Sequence, residues 1–265
     1  MSDLTLTITG AGPAILLIHG TAASIWGPLP DLLADHGTVI VYDRRGFGGA
    51  PGPRGASLSE HAGDAASILE RHGCAVVVGW SIGGVIALEL ALRRPELVSG
   101  LVLLEPPLHA KRHPRPRLVA AIAGAQILRR LRSEPAGAER FLNWALRSSS
   151  GPSGLARLSD QDRNAALANA GAILRELDHG TGEHLTLAEL ARITAPVELL
   201  AGSLSDGAFA AAARRITEHV PGTHLTQLRG SAHMPQFDAP DAVVAAVERV
   251  IARASTPAGM RATAP

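Results

Sequence analysis

Short apolar runs and longer amphipathic stretches alternate along most of this chain. LTLTIT (residues 4–9) switches between apolar and polar at every step, the pattern of a strand with one face in water. AILLIH (14–19), TVIVYD (38–43), AVVVG (75–79) and GLVLLE (100–105) are continuous apolar runs, and VELLAG (197–202) and HLTQLRG (224–230) complete the series. Continuous runs of this length predict strands covered on both faces, as in a parallel sheet. Between them, residues 59–71, 82–94, 209–220 and 241–254 repeat their apolar positions at helical spacing. The alternation predicts an α/β fold with a mostly parallel central sheet of about seven strands flanked by helices.

One region departs from this rhythm. Residues 108–192 contain no strand pattern, whereas IAGAQILRRL (122–131), ERFLNWALR (139–147) and DRNAALANAGAILREL (162–177) read as helices, separated at Pro135 and at residues 148–154. The predicted division is therefore a core of residues 1–107 and 193–255, a helical cap of residues 108–192 inserted between two sheet strands, and a disordered tail of residues 256–265.

Composition changes this picture little. The 265 residues are 46% hydrophobic and 18% charged, as in ordinary globular proteins, and a net charge of +1 makes no case for a nucleic-acid partner. Arginine outnumbers lysine so heavily that Lys111 is the single lysine, which points to high-GC coding. No signal peptide is read at the N-terminus, and the apolar stretch 74–88 is too short to span a bilayer, so no membrane partner and a cytoplasmic location are expected. Cys74, the one cysteine, excludes an internal disulfide and is expected to lie in a buried strand. No Cys or His cluster has metal-ligand spacing, and neither a metal nor another cofactor is expected.

The chemistry concentrates at the junction of AVVVG with the following helix. Gly79-Trp80-Ser81-Ile82-Gly83 is a G-x-S-x-G placed after a strand and before a helix, where a serine on a tight turn is exposed as a nucleophile and needs small residues two positions to either side. The helix N-terminus beyond it favours developing negative charge, so the backbone N–H of Ile82 is a candidate oxyanion donor and that of Thr21, after His19-Gly20, a second. DRRGFGGAP (43–51) is glycine-rich, but Pro51 and Pro53 stand where a nucleotide-binding helix would begin. His233, in RGSAHMPQFDAP (229–240), lies 152 residues beyond Ser81, just after the last strand pattern.

With HGTAAS, DRRGFGG, GWSIGG and GSAHM in this order and spacing, the chain resembles the α/β-hydrolase fold superfamily over nearly its whole length outside the cap and tail. The resemblance implies a triad of Ser81, His233 and an acid at the carboxyl edge of the sheet, with the helical cap, inserted after the sixth family strand, forming the pocket. One strand instead of the usual two precedes AILLIH, so the first edge strand is expected to be missing. Two residues compete for the acid. Asp206, in AGSLSDGAF, follows the penultimate strand, the commoner position, but stands four residues past Gly202, where the family loop usually reads Gly, two residues, then Asp. Glu105, in LVLLEPP, ends the strand after the Ser81 helix, as in lactonase-like members, and is the favoured candidate, with Asp206 as the alternative. Asp238 and Asp241 also lie near His233, and Asp241, after Pro240, reads as a helix cap.

Trp26, Trp80 and Trp144 are candidate substrate contacts, with core packing as the competing reading for the first two, and Asn143 adjoins Trp144 on a cap helix. His19 reads as shaping the oxyanion loop. HAKRHPRPR (109–117) reads either as a solvated linker or as an attractor of anionic substrate. The function read from this set is serine hydrolysis of an ester or lactone of a small hydrophobic molecule through an acyl-serine. A carbon–carbon bond hydrolase, an acyltransferase or a small-molecule receptor on the same triad are the alternatives. The expected partner is the small-molecule substrate, with a homodimer left open.

Overall fold

The computed structural model describes residues 4–147 and 154–255. Its strands are β1 (Leu6–Thr9), β2 (Ala14–Ile18), β3 (Thr38–Tyr42), β4 (Ala75–Trp80), β5 (Val98–Leu104), β6 (Val197–Gly202) and β7 (Thr223–Leu228), in one sheet of order β1-β3-β2-β4-β5-β6-β7. β1 pairs antiparallel with β3, with Leu6 opposite Tyr42, and every other pairing is parallel. The sheet is thus mostly parallel, and among the described residues a single strand precedes β2.

The period of two along each strand explains why the buried runs are continuous. Ile15, Leu17, Val76 and Val78 enter one apolar core, while Leu16, Ile18 and Val77 enter the other. The second core is closed by α2 (Leu58–His72), α3 (Ile82–Arg93) and α9 (Gly207–His219), the first by α1 (Leu29–Leu33) and α11 (Pro240–Ala254). α2 starts on a capping box in which Ser57 and Glu60 satisfy each other's backbone N–H. The short α8 (Leu187–Leu190) leads back to β6, and α10 (Pro235–Asp238) follows β7.

Between β5 and β6 the chain forms α4 (Pro116–Leu131), α5 (Glu134–Ala145), α6 (Asp160–Ala168) and α7 (Ala170–Glu176). Pro135 stands in the first turn of α5, where its missing N–H is no loss. The break at 148–154 lies almost wholly outside the described residues, as does the expected disorder of 256–265. No described helix is long and apolar enough to cross a membrane.

Two local readings change. Cys74 is exposed, because β4 begins one residue later and Cys74 belongs to the connection that follows Gly73. Asp241 lies inside the first turn of α11, whose N-cap is Ala239, so it favours the helix through its charge near the N-terminus, not through a cap hydrogen bond.

Candidate active site

Ser81, Glu105 and His233 follow the carboxyl ends of β4, β5 and β7, the edge where open α/β sheets gather their ligands. Ser81 holds φ 54° and ψ −125°, a conformation few non-glycine residues adopt. Its N–H donates to Leu104 O at 2.8 Å, which ties the turn to the neighbouring strand. The flanking glycines follow from this geometry: a Cβ on Gly79 would stand 2.5 Å from Gly83 O, and one on Gly83 would stand 2.1 Å from Ile18 O. A larger residue at either position would push the turn open.

His233 Nε2 lies 3.0 Å from Ser81 Oγ, and its Nδ1 lies 3.3 Å from Glu105 Oε2. All three side chains are buried. Glu105 also holds positive φ, and its second oxygen accepts the Gly202 N–H at 2.6 Å, so the end of β6 orients the carboxylate. The structure does not bring Asp206 to the imidazole. Asp206 is the N-cap of α9, accepting from Ala208 N–H at 3.1 Å. Strand order explains the difference: Glu105 ends β5, beside the Ser81 strand, whereas Asp206 has passed four residues beyond β6 into a helix start.

The imidazole is fixed from several sides. Trp80 Nε1 donates to His233 O at 2.7 Å, and the Phe209 ring stacks on the imidazole with centroids 3.9 Å apart. Asp238 accepts from the Ala232 N–H at 2.8 Å and pairs with Arg157 of the cap side, bracing the loop that carries His233. Phe209 does not stand out in the sequence as a site residue, and Asp238 is marked there only as a carboxylate near His233. Phe209 looks like an ordinary apolar position in α9, and its juxtaposition with His233 arises only when α9 folds back over β6 and β7.

A cavity opens between the sheet edge and the helices α4–α7. Ser81, Thr21 and Ile82 line it on the sheet side, and Leu118, Phe141 and Trp144 on the cap side. Trp80 lines it too. Trp26 does not: it is buried behind Trp80 in an edge-to-face contact at 6.3 Å, which makes it packing. Trp144 reaches the triad through Phe209, on which it stacks at 6.2 Å. Its neighbour Asn143 is absent from the lining.

His19 Nε2 accepts the Arg44 N–H at 2.9 Å and its Nδ1 donates to Gly20 O at 2.7 Å. Burial, reinforced by the Arg44 charge, holds its pKa well below the usual imidazole range, so the neutral ring acts as a brace for the loop before Thr21. Arg44 is fully buried, donating to Gly20 O at 3.2 Å and to Glu176 of α7 at 2.7 Å. Arg45 instead pairs with Asp64 of α2 at 2.5 Å, so the glycine-rich turn is a structural joint. In the 109–117 segment, Lys111 turns inward and donates to the carbonyls of Leu177 and His179, and burial pushes its pKa down. Lys111 lines the cavity, but its ammonium is held by these two carbonyls. No group of His, Cys, Asp and Glu able to hold a metal occurs among the described residues.

Over 266 aligned residues the chain is 28% identical to the uncharacterized protein Rv2715 of Mycobacterium tuberculosis, covering 91% of this chain and 76% of that protein. A pimeloyl-[acyl-carrier protein] methyl ester esterase of Cronobacter sakazakii is 34% identical over 105 residues, 38% of this chain and 40% of its own. A thermophilic esterase of Thermogutta terrifontis superposes with TM-score 0.76 at 22% identity, covering 96% of this chain and 94% of the other, a likeness of fold. The model of the alpha/beta hydrolase family matches residues 15–246, and the chain belongs to that family.

Proposed function

We propose that the protein hydrolyses a carboxylic ester or lactone of a small hydrophobic molecule through an acyl-serine formed on Ser81. The observation that carries this reading is the 3.0 Å approach of His233 Nε2 to the hydroxyl of a serine held at φ 54° on the wall of a cavity. Ser81 Oγ attacks the carbonyl carbon while His233 Nε2 takes the hydroxyl proton. Glu105 holds the imidazole in the tautomer with hydrogen on Nδ1 and stabilises the imidazolium. The N–H groups of Thr21 and Ile82 receive the oxyanion; each such donor is worth about 2.7–4 kcal/mol in comparable sites. Collapse of the tetrahedral intermediate breaks the bond to the leaving alkoxide, which His233 protonates. Water then attacks the acyl-serine with His233 as base, releasing the acid and restoring Ser81.

The lining favours apolar substrate. Leu118, Phe141 and Trp144 offer no charge to an acyl chain. The ester esterase among the relatives agrees with the reaction class.

The test is turnover of a panel of p-nitrophenyl esters and lactones of graded size by the full chain and by Ser81→Ala. The variant is expected to lose roughly 10⁵- to 10⁶-fold in kcat at unchanged melting temperature, and wild-type Ser81 to be labelled by a serine-directed phosphonate. Residual turnover near wild type would remove the acyl-serine.

A further inference from the structure

α4 is apolar on two opposite sides. Its inner side belongs to the cap: Leu118 and Ile122 line the cavity, and Ala121 and Ala125 are buried. Its outer side stands in water, with Val119 51%, Ile127 54% and Leu131 76% exposed, the three most exposed large hydrophobic residues among those described. Pro116, Ala120 and Ala123 are exposed as well. Positions 116, 119, 120, 123, 127 and 131 follow the three- and four-residue steps of a single helical face. A surface helix ordinarily carries charge there, and a helix apolar all round is ordinarily covered. Scattered exposed side chains need no explanation, but a contiguous stripe marks a contact.

Charge selects the occupant. Residues 109–133 contain one Lys, six Arg and no Asp or Glu. Lys111 turns inward, and Arg129 faces Glu134 and Asp178. Arg112, Arg115 and Arg117 at one end of α4, and Arg130 and Arg132 at the other, are exposed, and none of these five is in an ion pair among the described residues. A second copy meeting this face across a two-fold axis would set the cationic rim against itself. A bilayer surface with anionic headgroups complements both features, because the stripe enters the headgroup–acyl boundary while the long arginine side chains reach the phosphates.

We infer that the outer face of α4 docks on an anionic lipid surface, seating the cap on the membrane. The helix that touches lipid on one side lines the cavity on the other, which places the site where an apolar ester partitions from the bilayer. This delivery of substrate rests on the ester-hydrolase reading; the docking does not.

The experiment is co-sedimentation of full-length Ser81→Ala protein with vesicles of phosphatidylcholine alone and of phosphatidylcholine with phosphatidylglycerol. Binding to the phosphatidylglycerol vesicles, weakened by salt, is expected. Ile127→Asp combined with Leu131→Asp should lower partitioning by about tenfold or more, and Arg115→Gln with Arg130→Gln should lower it for the anionic vesicles. In the Ser81 background the first pair should leave turnover of a short water-soluble ester unchanged, which shows that the variant is folded. Vesicle binding by a protein inactive on every ester would uphold the docking and remove the hydrolase reading. The docking is overturned by absence of binding to anionic vesicles, by equal binding to both kinds of vesicle, or by unchanged binding of the Asp variant. A solution dimer dissolved by those substitutions, without vesicle binding, would give the face to a second copy. Binding of polyglutamate without vesicle binding would give it to an acidic protein.

Discussion

Glu105 and Asp206 are both carboxylates near the carboxyl edge of the sheet, yet their surroundings assign them different work. One faces His233 from a strained backbone position with its other oxygen tied to Gly202; the other closes the first turn of a helix. Glu105→Gln is therefore expected to lower kcat by roughly 10³- to 10⁴-fold, because an amide neither stabilises the imidazolium nor enforces the tautomer. Asp206→Asn should leave kcat within a few-fold and at most weaken the α9 cap by about 1 kcal/mol. Steady-state kinetics of both variants checks the pair, and the reverse ranking would move the acid to Asp206. Gly79→Ala belongs to the same scale. Its methyl would stand 2.5 Å from Gly83 O and 2.6 Å from Gly84 Cα. Backbone atoms cannot swing aside as a flexible side chain does, so a loss of about 1–3 kcal/mol in urea unfolding is expected.

At the scale of elements, the cap is joined to the sheet by a buried ion pair. The Arg44 guanidinium is fully buried, lies 4.5 Å from the Phe47 ring centroid, and reaches across from the end of β3 to Glu176 on α7. Removing the carboxylate alone leaves a buried cation without its counter-charge. Glu176→Gln should thus cost about 3–5 kcal/mol, whereas Arg44→Met with Glu176→Leu, which removes both charges, should cost less. Thermal or denaturant unfolding of the two variants separates these outcomes; equal losses would show that packing, not charge, holds the joint. Because Arg44 also donates to Gly20 O, the same joint braces the loop before Thr21. None of this is legible in DRRGFGG, where Arg44 and Arg45 are adjacent and chemically alike. Only the fold sends one into the core toward α7 and the other toward Asp64 of α2.

For the molecule as a whole, the pH dependence of stability follows from imidazoles kept neutral inside it. Burial is the main cause that holds both His19 and His61 well below the ordinary range, with the Arg44 charge adding to it. In the unfolded chain both take up protons below about pH 6.5, and in the folded chain they do not. The unfolded state then binds more protons, so stability falls as pH drops through that value. At about pH 5.5 each imidazole is expected to have cost up to about 1.4 kcal/mol relative to neutral pH. Denaturant midpoints between pH 7.5 and 5.5 should show the decline, and His61→Gln should make it shallower; a flat profile would mean that the rings protonate in place. Two separate apolar cores flank the sheet, and the one shared with α4 and α5 supplies Trp80, Leu118, Phe141 and Trp144 to the cavity wall, so changes in those helices are expected to alter selectivity before they unfold the sheet.

Local pattern alone determined the sheet strands and the place of Ser81, because period-two burial, helical spacing and the glycines around a tight turn are recorded in neighbouring residues. The resemblance carried by four short motifs determined the family and the candidate His233 for the same reason: each motif is contiguous. Tertiary structure decided everything that depends on which distant surfaces meet. Strand order put Glu105 beside the imidazole and left Asp206 as a cap; the fold of α9 laid Phe209 on His233; the start of β4 left Cys74 in water. It also decided that α4 shows apolar side chains both to the cavity and to solvent. A helical pattern states how often apolar residues recur, but what lies opposite each face is set by packing against chain segments far away in sequence.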